Sequence, residues 1–124
     1  MITESCPIEV TLSMISGKWK LIIIKELLAC ENIRFGELLR VIPDISQKVL
    51  TSQLRELEED GLVLRIDYNE NPRRVEYSLT KLGLSMVSIM KEIRNWGLFH
   101  LLNNEKKPVH CLECKQCQSS SKIC

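Results

Sequence analysis

A mainly α-helical domain with one small antiparallel β-hairpin, in the winged helix-turn-helix order α-α-β-α-α-β-β-α, is the fold this sequence predicts. Three observations predict it. Residues 46–57 form a capped amphipathic helix pattern that stops at Gly61. A short helical pattern ends at Pro43, just ahead of that cap. Directly after Gly61, two alternating segments meet at Asn71-Pro72-Arg73-Arg74, as the strands of a hairpin do.

In chain order, Pro7 suits the first turn of a helix, with Val10, Met14 and Ile15 on its apolar face before Gly17 ends it. A second helix is expected over residues 18–29. Leu21, Ile24 and Leu28 recur at helical spacing and Ile22, Ile23 and Leu27 widen the stripe, so it should be deeply buried. Ile33-Arg34-Phe35 reads as a short extended link. Residues 36–42 make a third helix with Leu38, Leu39 and Ile42 inward, and Pro43 turns the chain out of it.

The fourth helix has the clearest local signals. Ser46 is a favourable N-cap, and Ile45 before it can pack on Leu50 as a hydrophobic staple. Leu50, Leu54 and Leu57 form the buried stripe, and Gly61 supplies the left-handed residue that closes the helix. In the hairpin, Leu62, Leu64, Ile66 and Tyr68 alternate with Val63, Arg65 and Asp67, and Val75, Tyr77 and Leu79 with Arg74, Glu76 and Ser78. Thr80 then caps one long last helix, with Met86, Ile89, Met90, Ile93 and Trp96 on one side. The composition turns polar beyond it. The expected division is therefore a folded domain over residues 1–104 and a Cys-rich polar tail over 105–124.

The chain of 124 residues fits one domain with a real core. Aromatics are only 5%, so that core is mostly aliphatic, with Trp19 expected in it and Trp96 and Phe99 in the core or a dimer seam beside His100. The first residues lack the basic and apolar regions of a signal peptide, and the apolar run at residues 21–29 is too short and too charged to span a bilayer. A cytoplasmic protein with no membrane partner is expected, with reduced cysteines unless they sense or bind something. A net charge of +1 means that a nucleic-acid surface must come from segregated charge. No Gly-rich cofactor loop is present and the two histidines are not arranged for nucleophilic catalysis, so no enzyme is expected.

Two helices joined by Pro43-Asp44-Ile45 form a helix-turn-helix whose second helix enters the DNA major groove, about 12 Å wide. From the capped start at Ser46, Gln47 and Lys48 are placed to reach bases, and Thr51, Ser52 and Arg55 to reach phosphates. Arg73 and Arg74 at the hairpin tip can reach a backbone or the adjacent minor groove. A merely solvated helix face and turn is the plain alternative, but the ordered combination of short helix, capped helix and basic hairpin favours DNA. Glu56, Glu58, Glu59 and Asp60 crowd the far end of the helix, so that end should point away from DNA and lower the weight of Arg55.

With Cys6-Pro7-Ile8 and Leu12, Gly17-Lys18-Trp19-Lys20, Arg34-Phe35-Gly36-Glu37-Leu38 and Ile42-Pro43-Asp44-Ile45-Ser46 the chain carries a resemblance to the HxlR-type winged helix-turn-helix regulators, relatives of the MarR group. The resemblance continues through Leu50-Thr51, Leu54-Arg55-Glu56-Leu57-Glu58, Asp60-Gly61-Leu62-Val63 and Arg74-Val75-Glu76-Tyr77-Ser78-Leu79-Thr80, covering roughly residues 6–83. It implies a homodimer built from the first and last helices on a two-fold DNA operator, most often a repressor and sometimes an activator. It says nothing about residues 111–124.

Cys6 precedes Pro7 at the start of the first helix, where positive potential favours the reactive thiolate. Several members of the resembled family sense quinones, aldehydes or oxidants at this Cys-Pro position, so an oxidant or electrophile is the implied effector; an inert packed cysteine is the alternative. Cys30, at the end of an apolar helix, reads as ordinary packing. In the tail, Cys111, Cys114 and Cys117 have two-residue spacing, and Cys124 or His110 can complete a four-ligand zinc set. The same run is similar to part of an iron–sulfur motif without its downstream Cys and Pro. A tail of oxidisable thiols is the plain alternative. The first rival to a DNA-binding regulator is thus a thiol- or zinc-dependent redox or metal-binding protein acting through these cysteines, and the second is a winged helix used only for protein association.

Overall fold

The computed structural model describes residues 6–103, whose elements are α1 (Pro7–Ile15), α2 (Lys20–Ala29), β1 (Ile33–Arg34), α3 (Phe35–Val41), α4 (Gln47–Glu59), β2 (Val63–Asp67), β3 (Val75–Leu79), α5 (Lys81–Leu84) and α6 (Val87–Asn103). Their order is that of the expected winged helix-turn-helix, with one change at the end of the chain. Pro7 opens α1 at its first turn, where its missing N–H costs nothing. Ile23, Ile24 and Leu27 make α2 the buried spine, with Leu38 of α3 and Leu50, Leu54 and Leu57 of α4 packed on it; all are almost fully inaccessible. Trp19 lies partly buried against this core, as expected.

The three strands form an antiparallel sheet in the order β1-β3-β2. Ile33 and Arg65 both pair with Tyr77, and Val63 pairs with Leu79, so Ile33, Val63, Tyr77 and Leu79 share the core face. The phase of β2 follows from this register. Val63 turns inward with Leu62 just before it, while Leu64 is exposed on the outer face. The β1–β3 pairing therefore ties the segment before α3 to the hairpin and fixes the hairpin against the helices.

The expected single last helix is divided. Thr80 caps its start by accepting from the Gly83 N–H, and the hydroxyl of Thr80 donates to the Gly61 carbonyl. At Ser85 and Met86 the backbone tightens: Ser85 N–H lies in reach of both the Lys81 and Leu82 carbonyls, and Met86 N–H bonds back to Gly83. Gly83 is packed so closely on the hairpin that a Cβ would collide with the Leu62 carbonyl oxygen. The short α5 is thus set by contact with the hairpin, and α6 leaves the core from there. Met86 is buried and Met90 half-buried, but Ile93, Trp96 and Phe99 are exposed, so the core role considered for the last two is not the one they take. No helix among the described residues is long and apolar enough to cross a membrane.

Candidate nucleic-acid interface

The turn between α3 and α4 is held from both ends. Ile42 and Ile45 are buried, and between them Asp44 adopts a left-handed conformation with φ 67°, which a short polar side chain tolerates. Ser46 Oγ accepts the Val49 N–H at 3.1 Å, completing the expected cap. Gly61, with φ 79°, ends the helix, where the Leu62 N–H bonds back to the Leu57 carbonyl.

These constraints leave Gln47, Lys48, Thr51, Ser52 and Arg55 exposed, opposite the buried Leu50, Leu54 and Leu57. Lys48, Ser52 and Arg55 follow helical spacing and form one ridge, with Gln47 and Thr51 beside it. Thr51 Oγ1 donates to the Gln47 carbonyl at 2.8 Å, so it must leave that bond to donate to a phosphate. The acidic end of α4 is less uniform than its sequence suggests. Glu56 is drawn toward α2, where its Oε1 meets Lys20 Nζ at 3.0 Å, while Gln53 Nε2 donates to Oε2 at 3.2 Å. Lys20 is the buried charged side chain of the core. Sequence reasoning missed it because its partner lies 36 residues away.

The hairpin tip brings Arg73 and Arg74 together with acids that the sequence reading did not weigh. Arg73 Nη2 donates to Asp67 Oδ2 at 2.6 Å, and Arg65 Nη2 lies 3.9 Å from the same oxygen. The other oxygen, Oδ1, accepts the Asn69 N–H at 2.9 Å. That amide bond first, and the Arg73 bond second, hold the Asp67 carboxyl below the usual carboxylate range. Arg74 stacks on the Tyr68 ring, its guanidinium carbon 3.7 Å from the ring centroid. Its Nε is 3.3 Å from Glu70 Oε1, an ion pair without the alignment of a hydrogen bond. Tyr68 in turn donates to Glu76 at 3.0 Å, and this bond raises the phenol above its ordinary pKa. The signal available in the sequence was the placement of Asp67 and Arg73 on either side of one turn.

Cys6 occupies the N-cap position of α1, exposed and free, with no capping hydrogen bond from its side chain. Cys30 packs partly buried against the core. Among the described residues, no group of three or more His, Cys, Asp or Glu side chains is arranged to hold a metal. The tail ligand set, Cys111, Cys114, Cys117 and Cys124 with His110, lies outside the described residues.

Comparison with known proteins agrees with this architecture. The chain matches the HxlR-like helix-turn-helix family over residues 14–105. It is 46% identical over 94 residues to the HTH-type transcriptional regulator YybR of Bacillus subtilis, itself uncharacterised, covering 76% of this chain and 74% of that one. Among solved structures, the reduced form of the redox regulator HypR superposes with a TM-score of 0.73 at 42% identity, covering 80% of this chain and 99% of that one. The reduced form of the B. subtilis transcriptional regulator YodB gives 0.68 at 35% identity, covering 76% and 92%. Family and neighbours are DNA-binding regulators, not enzymes. This chain belongs to the HxlR-like helix-turn-helix family of transcriptional regulators.

Proposed function

We propose that this regulator binds a two-fold DNA operator as a homodimer and acts there as a repressor, with Cys6 tuning its affinity to oxidants or electrophiles. The observation that carries the DNA-reading part is the ridge of Lys48, Ser52 and Arg55 with Gln47 and Thr51 beside it, exposed on a helix whose N-terminus is capped and whose opposite face is locked in the core. A groove reader needs such a rigid, polar, donor-bearing face. Residues 1–104 serve DNA binding and dimerisation in this reading, and 105–124 are accessory.

Support for the homodimer comes from α6, which has no buried residue although Ile89, Ile93, Trp96, Phe99 and Leu102 are all apolar and exposed. Ile8 and Leu12 of α1 are likewise exposed. Apolar surface of this kind is what a second subunit covers. In such a dimer the two α4 helices must reach successive major grooves about 34 Å apart. Support for the redox role comes from the free, exposed thiol of Cys6 and from the likeness to HypR, whose solved forms are described as those of a redox regulator. The cofactor-free reading is kept for the DNA-binding domain, and zinc concerns the tail cysteines alone.

A gel shift with DNA from upstream of the protein's own and neighbouring genes tests the proposal. Lys48→Ala should weaken binding and lower the salt slope by about 1, and Arg73→Ala and Arg74→Ala should each weaken binding as well. Binding by a variant lacking all three that matches the wild type would reject the assigned surface.

A further inference from the structure

The wing carries its own competitors for DNA. Arg65, Arg73 and Arg74 are matched by Asp67, Glu70 and Glu76 within the same hairpin. The two tip arginines that would reach a backbone are both engaged: Arg73 in the 2.6 Å bond to Asp67, Arg74 in the 3.3 Å ion pair with Glu70. The Arg73 side chain is 69% exposed, whereas Arg74 Nε is shielded and its pair is open to solvent on the side of Glu70, which is 45% exposed.

We propose that Asp67 and Glu70 act as internal phosphate surrogates, so that the wing binds DNA by ion-pair exchange and these two carboxylates limit its affinity. This rests on the DNA-binding reading above and adds to it a brake within the wing. A duplex attracts a cation by releasing condensed counterions, and the salt dependence of binding counts the phosphates neutralised. An arginine already facing a carboxylate adds less to that count, because the acid it leaves behind stays beside the DNA. A phosphate must therefore displace a carboxylate of similar geometry, in a bond that a guanidinium makes equally well with either. Asp67 is the stronger competitor by distance. It is also the better organised, since the Asn69 N–H holds its other oxygen in place. Glu70 faces Arg74 across the turn and, more weakly, the Tyr68 hydroxyl.

The test uses the full-length protein and a duplex of arbitrary sequence, titrated from low to moderate salt. Asp67→Asn retains an oxygen for the Asn69 N–H and removes the charge. Glu70→Gln provides the same change away from the turn, should Asp67→Asn disturb the hairpin. Each variant is expected to bind about two- to fivefold tighter, the range set by an exposed ion pair. Its salt slope should steepen by about 0.9 for the arginine released. In an Arg73→Ala background the Asp67→Asn gain should vanish, and in Arg74→Ala the Glu70→Gln gain likewise. Unchanged affinity and slope in both variants would overturn the proposal. So would gains that persist without the arginines, which would mark a general charge effect. A wild type that binds no duplex at any salt would instead remove the DNA-binding reading itself.

Discussion

Lys20 Nζ of α2 lies 3.0 Å from Glu56 Oε1 of α4, so the buried spine of the domain is tied by an ion pair to the proposed recognition helix. The two partners are not equivalent: the Lys20 side chain is 6% exposed and that of Glu56 48%. Glu56→Leu strands an ammonium in the core and should cost about 1–3 kcal/mol. Lys20→Met replaces the charge with an apolar chain of similar length and leaves Glu56 to water, so its loss should be smaller. Urea unfolding at unchanged m reads the difference. A larger loss for Lys20→Met would mean that packing of the lysine stem, not its charge, dominates.

Gly83 sets the joint between hairpin and last helix. A methyl group there meets the Leu62 carbonyl oxygen and presses on Leu79. Gly83→Ala should therefore cost about 3 kcal/mol by overpacking, despite the better helix propensity of alanine. Thermal unfolding checks this. A neutral or stabilising result would show that α5 can slide off the hairpin without loss.

Asp67 offers a titration with a definite sign. Its carboxyl is held low chiefly by the Asn69 N–H and next by Arg73. A carboxyl with a depressed folded pKa adds stability above its unfolded pKa, and that stability is lost as pH falls through the folded value. The wing pair is therefore intact at neutral pH and opens in acid, below the usual carboxylate range. Carboxyl-carbon NMR should show Asp67 moving only part of the way back in Arg73→Ala, because the amide bond remains. A complete return to the ordinary value would make the arginine the dominant cause.

How far the sequence reveals these features depends on their range. The caps of Ser46 and Thr80 each act on an N–H three residues on, and Gly61 acts by its own backbone, so these roles are legible from local chemistry, unlike the bond from the Thr80 hydroxyl to Gly61. The buried stripe of Leu50, Leu54 and Leu57 is legible from period alone. The break after Leu84 is not, because it depends on Leu62 pressing against Gly83 across the fold. Glu56 illustrates the same limit at the candidate site. Read in sequence it belongs to an acidic cluster that repels phosphate, whereas in the fold its charge is directed to Lys20. The wing arginines are visible as a basic tip, but their pairing with Asp67 and Glu70 depends on how the turn closes.

The exposed side of α6 predicts the oligomeric state. Trp96 is 70% exposed and stacks on His100 with ring centroids 5.6 Å apart, and Phe99 lies 64% exposed beside them. Trp96→Glu should convert a homodimer to monomer in size-exclusion chromatography with light scattering. Loss of the second reading head should weaken operator binding on the order of a hundredfold. Retention of the dimer by Trp96→Glu would move the seam elsewhere.

Cys6 supplies the last prediction. Its backbone carbonyl accepts the Val10 N–H at 3.0 Å and so begins α1, while its thiol is exposed and takes no part in the cap. Oxidation or alkylation there need not break a capping bond. It adds bulk and polarity beside Ile8 and Leu12, the exposed apolar residues of α1 proposed for the dimer seam. In the proposed homodimer a change at that seam would alter the separation of the two α4 helices, and with it the fit to grooves set one helical turn apart. Cys6→Ser, which keeps the size and loses the reactive sulfur, should bind operator as the wild type does but no longer respond to diamide or a quinone in a gel shift. Intact-mass analysis should show the wild type gaining the quinone adduct at Cys6 under the conditions that release DNA. Release of Cys6→Ser by the same treatment would take Cys6 out of the mechanism and direct attention to another thiol of the chain.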